Sequence, residues 1–240
     1  MEIAIQEIVD YATCPIRWHS KPSSKLIGLK SSALEPLKKW AANDLRPTQN
    51  DFLSLWEQYC SVNKITDSTI VSDGAITLNA FYDWAIAQGK PRAVNYPYSI
   101  DVTRSTYGIK YNIVGTIDLL YGRGDRIIVP WGIKFTSHAR ATRMAGLQSY
   151  EMTAWAITLA EQFAISPKLT YYVLNHQRFS TIDTRRSAIQ IEQFYRETWN
   201  ICNQIQKQNL YHNYGFHCDS CSNKESCLRD TVKPKGDHNA

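Results

Sequence analysis

Three cysteines lie close together near the end of the chain, at Cys218, Cys221 and Cys227. The spacing CxxC, five residues and a third cysteine, with turn-forming residues between, is typical of a loop that wraps a metal centre. Three thiolates are one short of a tetrahedral or cubane ligand set, so a fourth ligand is expected elsewhere. Cys14 is the best candidate, because Pro15 directly after it ends any helix and is expected to leave the thiol at an exposed bend.

The other cysteines differ in their surroundings. Cys202 lies on the apolar stripe of a predicted helix and Cys60 closes another helix, so both are interpreted as small core residues. A zinc ion and an iron-sulfur cluster both suit four thiolates, and the spacing alone does not separate them. His217, beside Cys218, is a further ligand that zinc accepts.

The composition indicates a globular chain that can bury a sizeable core. It has 240 residues, 43% of them hydrophobic and 20% charged, with a net charge of +5. That charge is compatible with a nucleic-acid partner without indicating one. No apolar run is long enough for a membrane span, and the opening MEIAIQEIVDYATC lacks the basic start of a signal peptide. A cytoplasmic location is therefore expected, and clustered thiols there favour metal binding over disulfides.

Hydrophobic periodicity predicts an α/β core with a helical N-terminal insertion. Leu34, Leu37 and Trp40 recur at helical spacing within a helical region over about residues 1–90. The pattern then changes to a strand, a hairpin around YGRGDR, a helix, a strand and a last helix. The expected segments are the N-terminal segment 1–90, an α/β core 91–210, a cysteine-rich tail 211–230 and a disordered tail 231–240.

Taken together, the Cys-Pro pair, a GxxD strand, a strand ending in lysine, a helix with Gln and Tyr, and the cysteine tail resemble the iron-sulfur RecB-like nucleases. This branch of the PD-(D/E)XK superfamily includes the CRISPR adaptation exonucleases and the AddB-type helicase-nucleases. The resemblance implies a mixed central sheet flanked by helices, with a tail carrying the cluster. It also implies that Cys14, Cys218, Cys221 and Cys227 hold a 4Fe-4S cluster, with zinc as the alternative.

The resemblance also implies a catalytic site. Asp118 in VGTIDLL matches the first metal-binding carboxylate, and Lys134 matches the lysine of the next strand. Gln148 and Tyr150 resemble the family's Gln-and-Tyr helix motif. Three expected ligands are missing, because Gly132 stands where the second carboxylate belongs, Asn95 stands where another acid is common, and KSSALEPL contains no histidine.

These departures leave two functions open. The sequence favours a catalytically impaired pseudo-nuclease that binds DNA or assembles a complex for nucleic-acid processing or defence, because Asp118 alone attracts Mg²⁺ or Mn²⁺ poorly. The alternative is an active metal-dependent deoxyribonuclease in which Glu151, on the following helix, replaces the missing acid; otherwise Glu151 is a solvated helix residue. Arg140 and Arg143, beside His138, are candidate contacts for DNA phosphates.

Overall fold

The computed structural model describes residues 1–15, 26–103, 109–123, 127–135, 149–164, 168–175 and 178–211. This part of the chain contains six strands and six helices. The strands are β1 (Glu2–Ala4), β2 (Ala93–Thr103), β3 (Lys110–Arg123), β4 (Ile127–Phe135), β5 (Leu169–Asn175) and β6 (Arg178–Thr184). The helices are α1 (Ile5–Thr13), α2 (Leu26–Asn43), α3 (Gln49–Val62), α4 (Ser68–Gln88), α5 (Tyr150–Phe163) and α6 (Ala188–Gln206).

The strands form one mixed sheet in the order β1-β3-β4-β5-β6, with β2 paired to β3. β3 and β4 are antiparallel, β4 and β5 are parallel, and β5 and β6 are antiparallel. The parallel pair requires a crossover, and α5 lies in the segment that connects its two strands. The predicted α/β class is therefore confirmed, as are the β3–β4 hairpin and the helical start of the chain.

Two short elements differ from the sequence prediction. β6 pairs with β5 along its whole length, from Leu169↔Thr184 to Asn175↔Arg178, although no strand was expected there. Its sequence RFSTIDT is polar and short, so it carries little of the apolar alternation that marks a strand. β1 was not predicted either, because its three residues are too few to show alternation.

The chain packs into two compact units. One comprises the described residues within Met1–Ser23, Asp101–Ile113 and Gln193–Ala240, and the other those within Ser24–Ile100 and Val114–Glu192. The second unit contains α2 to α5 and most of the sheet. The predicted segment boundaries at residues 90 and 210 stay predictions.

The core of the second unit is built where α2, α3 and α4 pack beside β3. Its buried side chains come from apolar positions at helical spacing, which is why these three helices form. They include Leu34, Leu37, Trp40, Phe52, Trp56, Leu78, Phe81, Trp84, Leu119 and Tyr121. α2 also contacts β4, while α4 and α5 contact β5. This packing fixes the backbone from which the candidate site projects.

The first unit brings the two ends of the described chain together. The Tyr11 hydroxyl on α1 donates a hydrogen bond to the Asn209 carbonyl, and the Tyr11 and Tyr211 rings meet edge to face at 6.1 Å. The Trp199 indole of α6 donates to the Ile109 carbonyl at 3.2 Å. α1 therefore lies against the segment that follows α6.

Across the described residues, no helix combines the length and the apolar character that crossing a membrane requires.

Candidate metal centre

Asp118 is a buried carboxylate in the middle of β3, and it is paired with a lysine. The residue is 2% exposed, and its Oδ1 atom lies 2.7 Å from Nζ of Lys30. Lys30 stands in the second turn of α2, and its side chain is 34% exposed. A buried carboxylate is costly unless a cation or hydrogen bonds compensate it, and the Lys30 ammonium supplies such compensation.

Sequence reasoning did not single out Lys30. It is the first residue of KSSALEPL, the segment in which the resemblance implied a histidine and none was found. The lysine in that segment was the only feature of the sequence that could have pointed to a charged partner for Asp118. A pairing across 88 positions, from residue 30 to residue 118, leaves no mark in local periodicity.

Glu151 is the second buried carboxylate of this region. It lies in the first turn of α5, is 9% exposed, and follows the N-cap Ser149, whose hydroxyl accepts the Met152 N–H at 3.2 Å. A carboxylate there is favoured by the positive end of the helix dipole. The reading of Glu151 as a solvated helix residue is therefore wrong, because α5 is buried around this turn.

Tyr98 is a buried tyrosine whose hydroxyl is affected by the charges of both carboxylates. This β2 residue is 4% exposed, and burial raises the pKa of its hydroxyl far above the usual value. The negative charges of Glu151 and then Asp118 raise it further, because they disfavour a phenolate. Charged side chains of β3 and α5 thus both act on a hydroxyl of β2, and Tyr98 stays a neutral phenol.

Arg186 fixes the turn of α5 that carries Glu151. Its Nε atom donates to Thr153 Oγ1 at 2.7 Å, its Nη1 atom to Thr184 Oγ1 at 2.8 Å, and its Nη2 atom to the Ser149 carbonyl at 3.4 Å. The guanidinium therefore ties the start of α5 to the end of β6. Sequence reasoning missed this residue too, since a lone arginine after a polar strand carries no distinctive pattern.

The β3–β4 ladder places Gly132 near Asp118. Its last pair on this side is Leu119↔Trp131, and the next residue along each strand is Asp118 on β3 and Gly132 on β4. Gly132 is buried and pairs with Tyr171 of β5. The position predicted for the missing acid thus lies one residue past the ladder pair that adjoins Asp118.

Several predicted site residues fall beyond what the structure describes. Lys134 lies on β4 in register with Val173 of β5, but its side chain is outside the described part. Tyr150 is the first residue of α5 and is half-buried. The predicted residues outside the described ranges are Arg140, Arg143, Gln148, Cys218, Cys221 and Cys227.

The carboxylate pair fits a hard divalent cation. Among the described residues, no group of three or more His, Cys, Asp or Glu side chains is placed to hold a metal ion. Mg²⁺ nevertheless binds through one or two carboxylates and keeps several waters. Asp118 and Glu151 are carboxylates, the type of ligand that these ions take, so the chemistry of the residues present suits Mg²⁺ or Mn²⁺.

Cys14 is the one predicted cluster ligand that the structure describes. It caps the C-terminus of α1, where its N–H donates to the Asp10 carbonyl at 2.9 Å. It is 6% exposed, so the expectation of an exposed bend is wrong. The helix does end at Thr13, before Pro15, as predicted. Cys60 and Cys202 are buried, as expected of core residues, and burial raises the pKa of the Cys202 thiol to about 12.

The chain is an α/β protein with a mixed sheet, and a known structure shares this architecture. The crystal structure of SSO0001 is similar to it, with a TM-score of 0.51 and 11% sequence identity. The match covers 95% of this chain and 86% of that chain. Likeness at this identity concerns the fold alone. No protein-family model and no curated protein matches the sequence.

Proposed function

We propose that this chain is a metal-dependent deoxyribonuclease with a PD-(D/E)XK core, in which Glu151 has taken over the role of the missing strand carboxylate. The observation that carries the proposal is that Glu151 and Asp118 are both buried and that both charges act on the buried Tyr98 hydroxyl. Two like charges in one buried place repel each other and favour a cation between them. Lys30 supplies one positive charge, and a divalent ion supplies two.

Asp118 and Glu151 would hold Mg²⁺ or Mn²⁺, and an ion bound there would polarise a phosphoryl oxygen and lower the pKa of a bound water. Asp118 reaches the site from a strand and Glu151 from a helix N-terminus, so the carboxylates approach from different elements. Tyr98 keeps an uncharged hydroxyl beside them. We assign Lys134 the role of stabilising negative charge on the phosphate. Arg140 and Arg143 are assigned contacts with the DNA backbone.

A pseudo-nuclease is the second candidate, and the ion pair between Lys30 and Asp118 favours it. An ammonium at 2.7 Å already neutralises the carboxylate that a metal would need. In that case the protein binds DNA or assembles a complex in nucleic-acid processing or CRISPR-related defence, without turnover. Both candidate functions include the proposal that the protein is located in the cytoplasm.

A 4Fe-4S cluster is the second part of the proposal. Tyr11 is three residues from Cys14, and Tyr211, which touches Tyr11, is seven residues from Cys218. A seven-residue segment spans at most about 25 Å, so the cysteine tail can reach Cys14. This proximity supports the one-plus-three ligand set that the resemblance implies.

Cleavage assays separate the two candidates. Purified protein is incubated with labelled single- and double-stranded DNA and Mg²⁺ or Mn²⁺, together with the variants Asp118→Asn and Glu151→Gln. We expect metal-dependent cleavage that each variant lowers at least about a hundredfold, because each removes a metal-binding oxygen. Glu161→Gln is the matched control, since Glu161 is exposed on the same helix.

Absence of cleavage by the unmodified protein with either metal and either DNA form would establish the pseudo-nuclease instead. Cleavage that survives Glu151→Gln would show that Asp118 works with another acid.

A further inference from the structure

The ion pair between Lys30 and Asp118 joins a partly exposed cation to a buried anion. The side chain of Lys30 is 34% exposed and that of Asp118 is 3% exposed. The ammonium therefore stays within reach of solvent while it satisfies a carboxylate that is shielded from it. Such a pair can open by rotation of the lysine side chain alone, because a lysine carries its charge on a flexible stem.

The backbone beneath Lys30 is held in place. A Cβ atom on Gly28, two residues earlier on α2, would lie 2.1 Å from Cε1 of Tyr59 on α3. The glycine thus lets the Tyr59 ring lie directly against the start of α2, and Tyr59 in turn stacks on Trp56 with ring centroids 5.8 Å apart. The start of α2 is therefore packed closely against α3.

We propose that Lys30 is an exchangeable counter-ion, which rests on Asp118 without metal and moves to a backbone phosphate of the nucleic acid when a divalent ion binds. This inference rests on the proposed metal site at Asp118 and Glu151. An ammonium and a divalent cation repel each other, so a divalent ion bound to Asp118 weakens the attraction between that carboxylate and Lys30. Lys30 is thus a positioning residue that couples metal binding to DNA binding.

The first test measures metal affinity without turnover. Mn²⁺ binding to Lys30→Met is compared with the unmodified protein by calorimetry and by electron paramagnetic resonance. Loss of the competing charge should tighten Mn²⁺ binding by about tenfold or more. Lys30→Arg, which keeps the charge, should bind Mn²⁺ like the unmodified protein. Lys38→Met is the matched control, because Lys38 lies on the same helix with a 57% exposed side chain, 4.0 Å from Glu35.

Unchanged or weaker Mn²⁺ binding in a folded Lys30→Met variant would overturn the competition. If Lys30→Met does not fold, Lys30→Gln, which can still hydrogen-bond to Asp118, is measured against the same expectation. The result is independent of nuclease activity. If Lys30→Met binds Mn²⁺ more tightly but the unmodified protein cleaves no DNA, the proposed nuclease function is refuted and the competition between Lys30 and the metal is supported.

The second test follows the released lysine. DNA binding is measured over a range of salt concentrations with and without Ca²⁺. In the unmodified protein, Ca²⁺ should steepen the slope of log affinity against log salt by about 0.9 for duplex DNA, the effect of one added phosphate contact. Lys30→Met should show no such steepening. Equal steepening in both proteins would show that Lys30 does not move to the phosphate.

Discussion

At the scale of single residues, the candidate site is a balance of charges in a buried place. Asp118 and Glu151 are both nearly inaccessible, yet they come from segments 33 positions apart in the sequence. Burial, and then the charges of Glu151 and Asp118, raise the pKa of the Tyr98 hydroxyl. Lys30 offsets part of that negative charge. Substitutions that add or remove a carboxylate at this site should therefore change the affinity for a divalent cation more than substitutions of nearby apolar residues.

Gly132 offers a way to test the position of the second acid. It follows the last β3–β4 ladder pair on the side where Asp118 lies. In a Glu151→Gln background, Gly132→Glu should restore at least part of the lost Mn²⁺ affinity, because it returns a carboxylate next to Asp118. Titration with Mn²⁺ measures the effect.

Gly132→Gln in the same background has the same shape without the charge, and it should restore nothing. If Gln and Glu give the same affinity, the strand position does not face the metal. Turnover should recover less than binding, since Pro130 removes a ladder donor from β4 and restricts its geometry.

At the scale of elements, the three packed helices before the sheet depend on close approach at glycines. Gly74 on α4 faces the Trp56 ring of α3, and a Cβ there would lie 2.4 Å from its Cε2 and Cζ2 atoms. Trp56 is 1% exposed, and its indole donates a hydrogen bond to the Val71 carbonyl at 3.0 Å. The ring therefore has little room to move away.

Gly74→Ala should lower the free energy of unfolding by about 1–2 kcal/mol. Alanine favours a helix over glycine by about 1 kcal/mol, but overpacking a core commonly costs about 1–3 kcal/mol, and a contact of 2.4 Å implies the upper part of that range. Urea unfolding at equilibrium measures the change. Ser72→Ala, at an exposed position of α4, should leave stability almost unchanged. A more stable Gly74→Ala protein would mean that α3 and α4 adjust freely.

At the scale of the whole molecule, the first and last described segments lie in one compact unit. Tyr11 contacts both Asn209 and Tyr211, so the helix that ends at Cys14 is joined to the chain just before the cysteine tail. A cluster with one ligand at Cys14 and three in the tail would close a loop of about two hundred residues. Such a link restricts the unfolded chain and ties metal binding to folding.

Cys14→Ala should therefore lose the cluster and unfold at a lower temperature than the unmodified protein. Anaerobically purified protein is expected to be brown with a broad visible absorption, which the variant should lack. Cys60→Ala is the matched control, because Cys60 is also buried but belongs to the helical core. It should keep the colour. Colourless protein with stoichiometric zinc would contradict the iron-sulfur assignment.

Local pattern was enough for much of the architecture. The β3–β4 hairpin, α5 and α6 were predicted from alternation, helical spacing and glycines at a turn, all of which are properties of neighbouring residues. Asp118 was predicted as a site residue because GxxD in VGTIDLL matches a motif of the nucleases that the sequence resembles. Short polar strands such as β6 were missed, because their pairing depends on the neighbour they meet rather than on their own alternation.

Only the tertiary structure decided how the charges are arranged. The sequence left Glu151 either solvated or turned toward Asp118, and packing of the first turn of α5 buries it. The Lys30–Asp118 pair likewise exists because packing brings Lys30 of α2 to 2.7 Å from Asp118 of β3. Periodicity reports which face of an element is apolar. The partner of a charge is set by which elements pack together, and that is determined by the whole core.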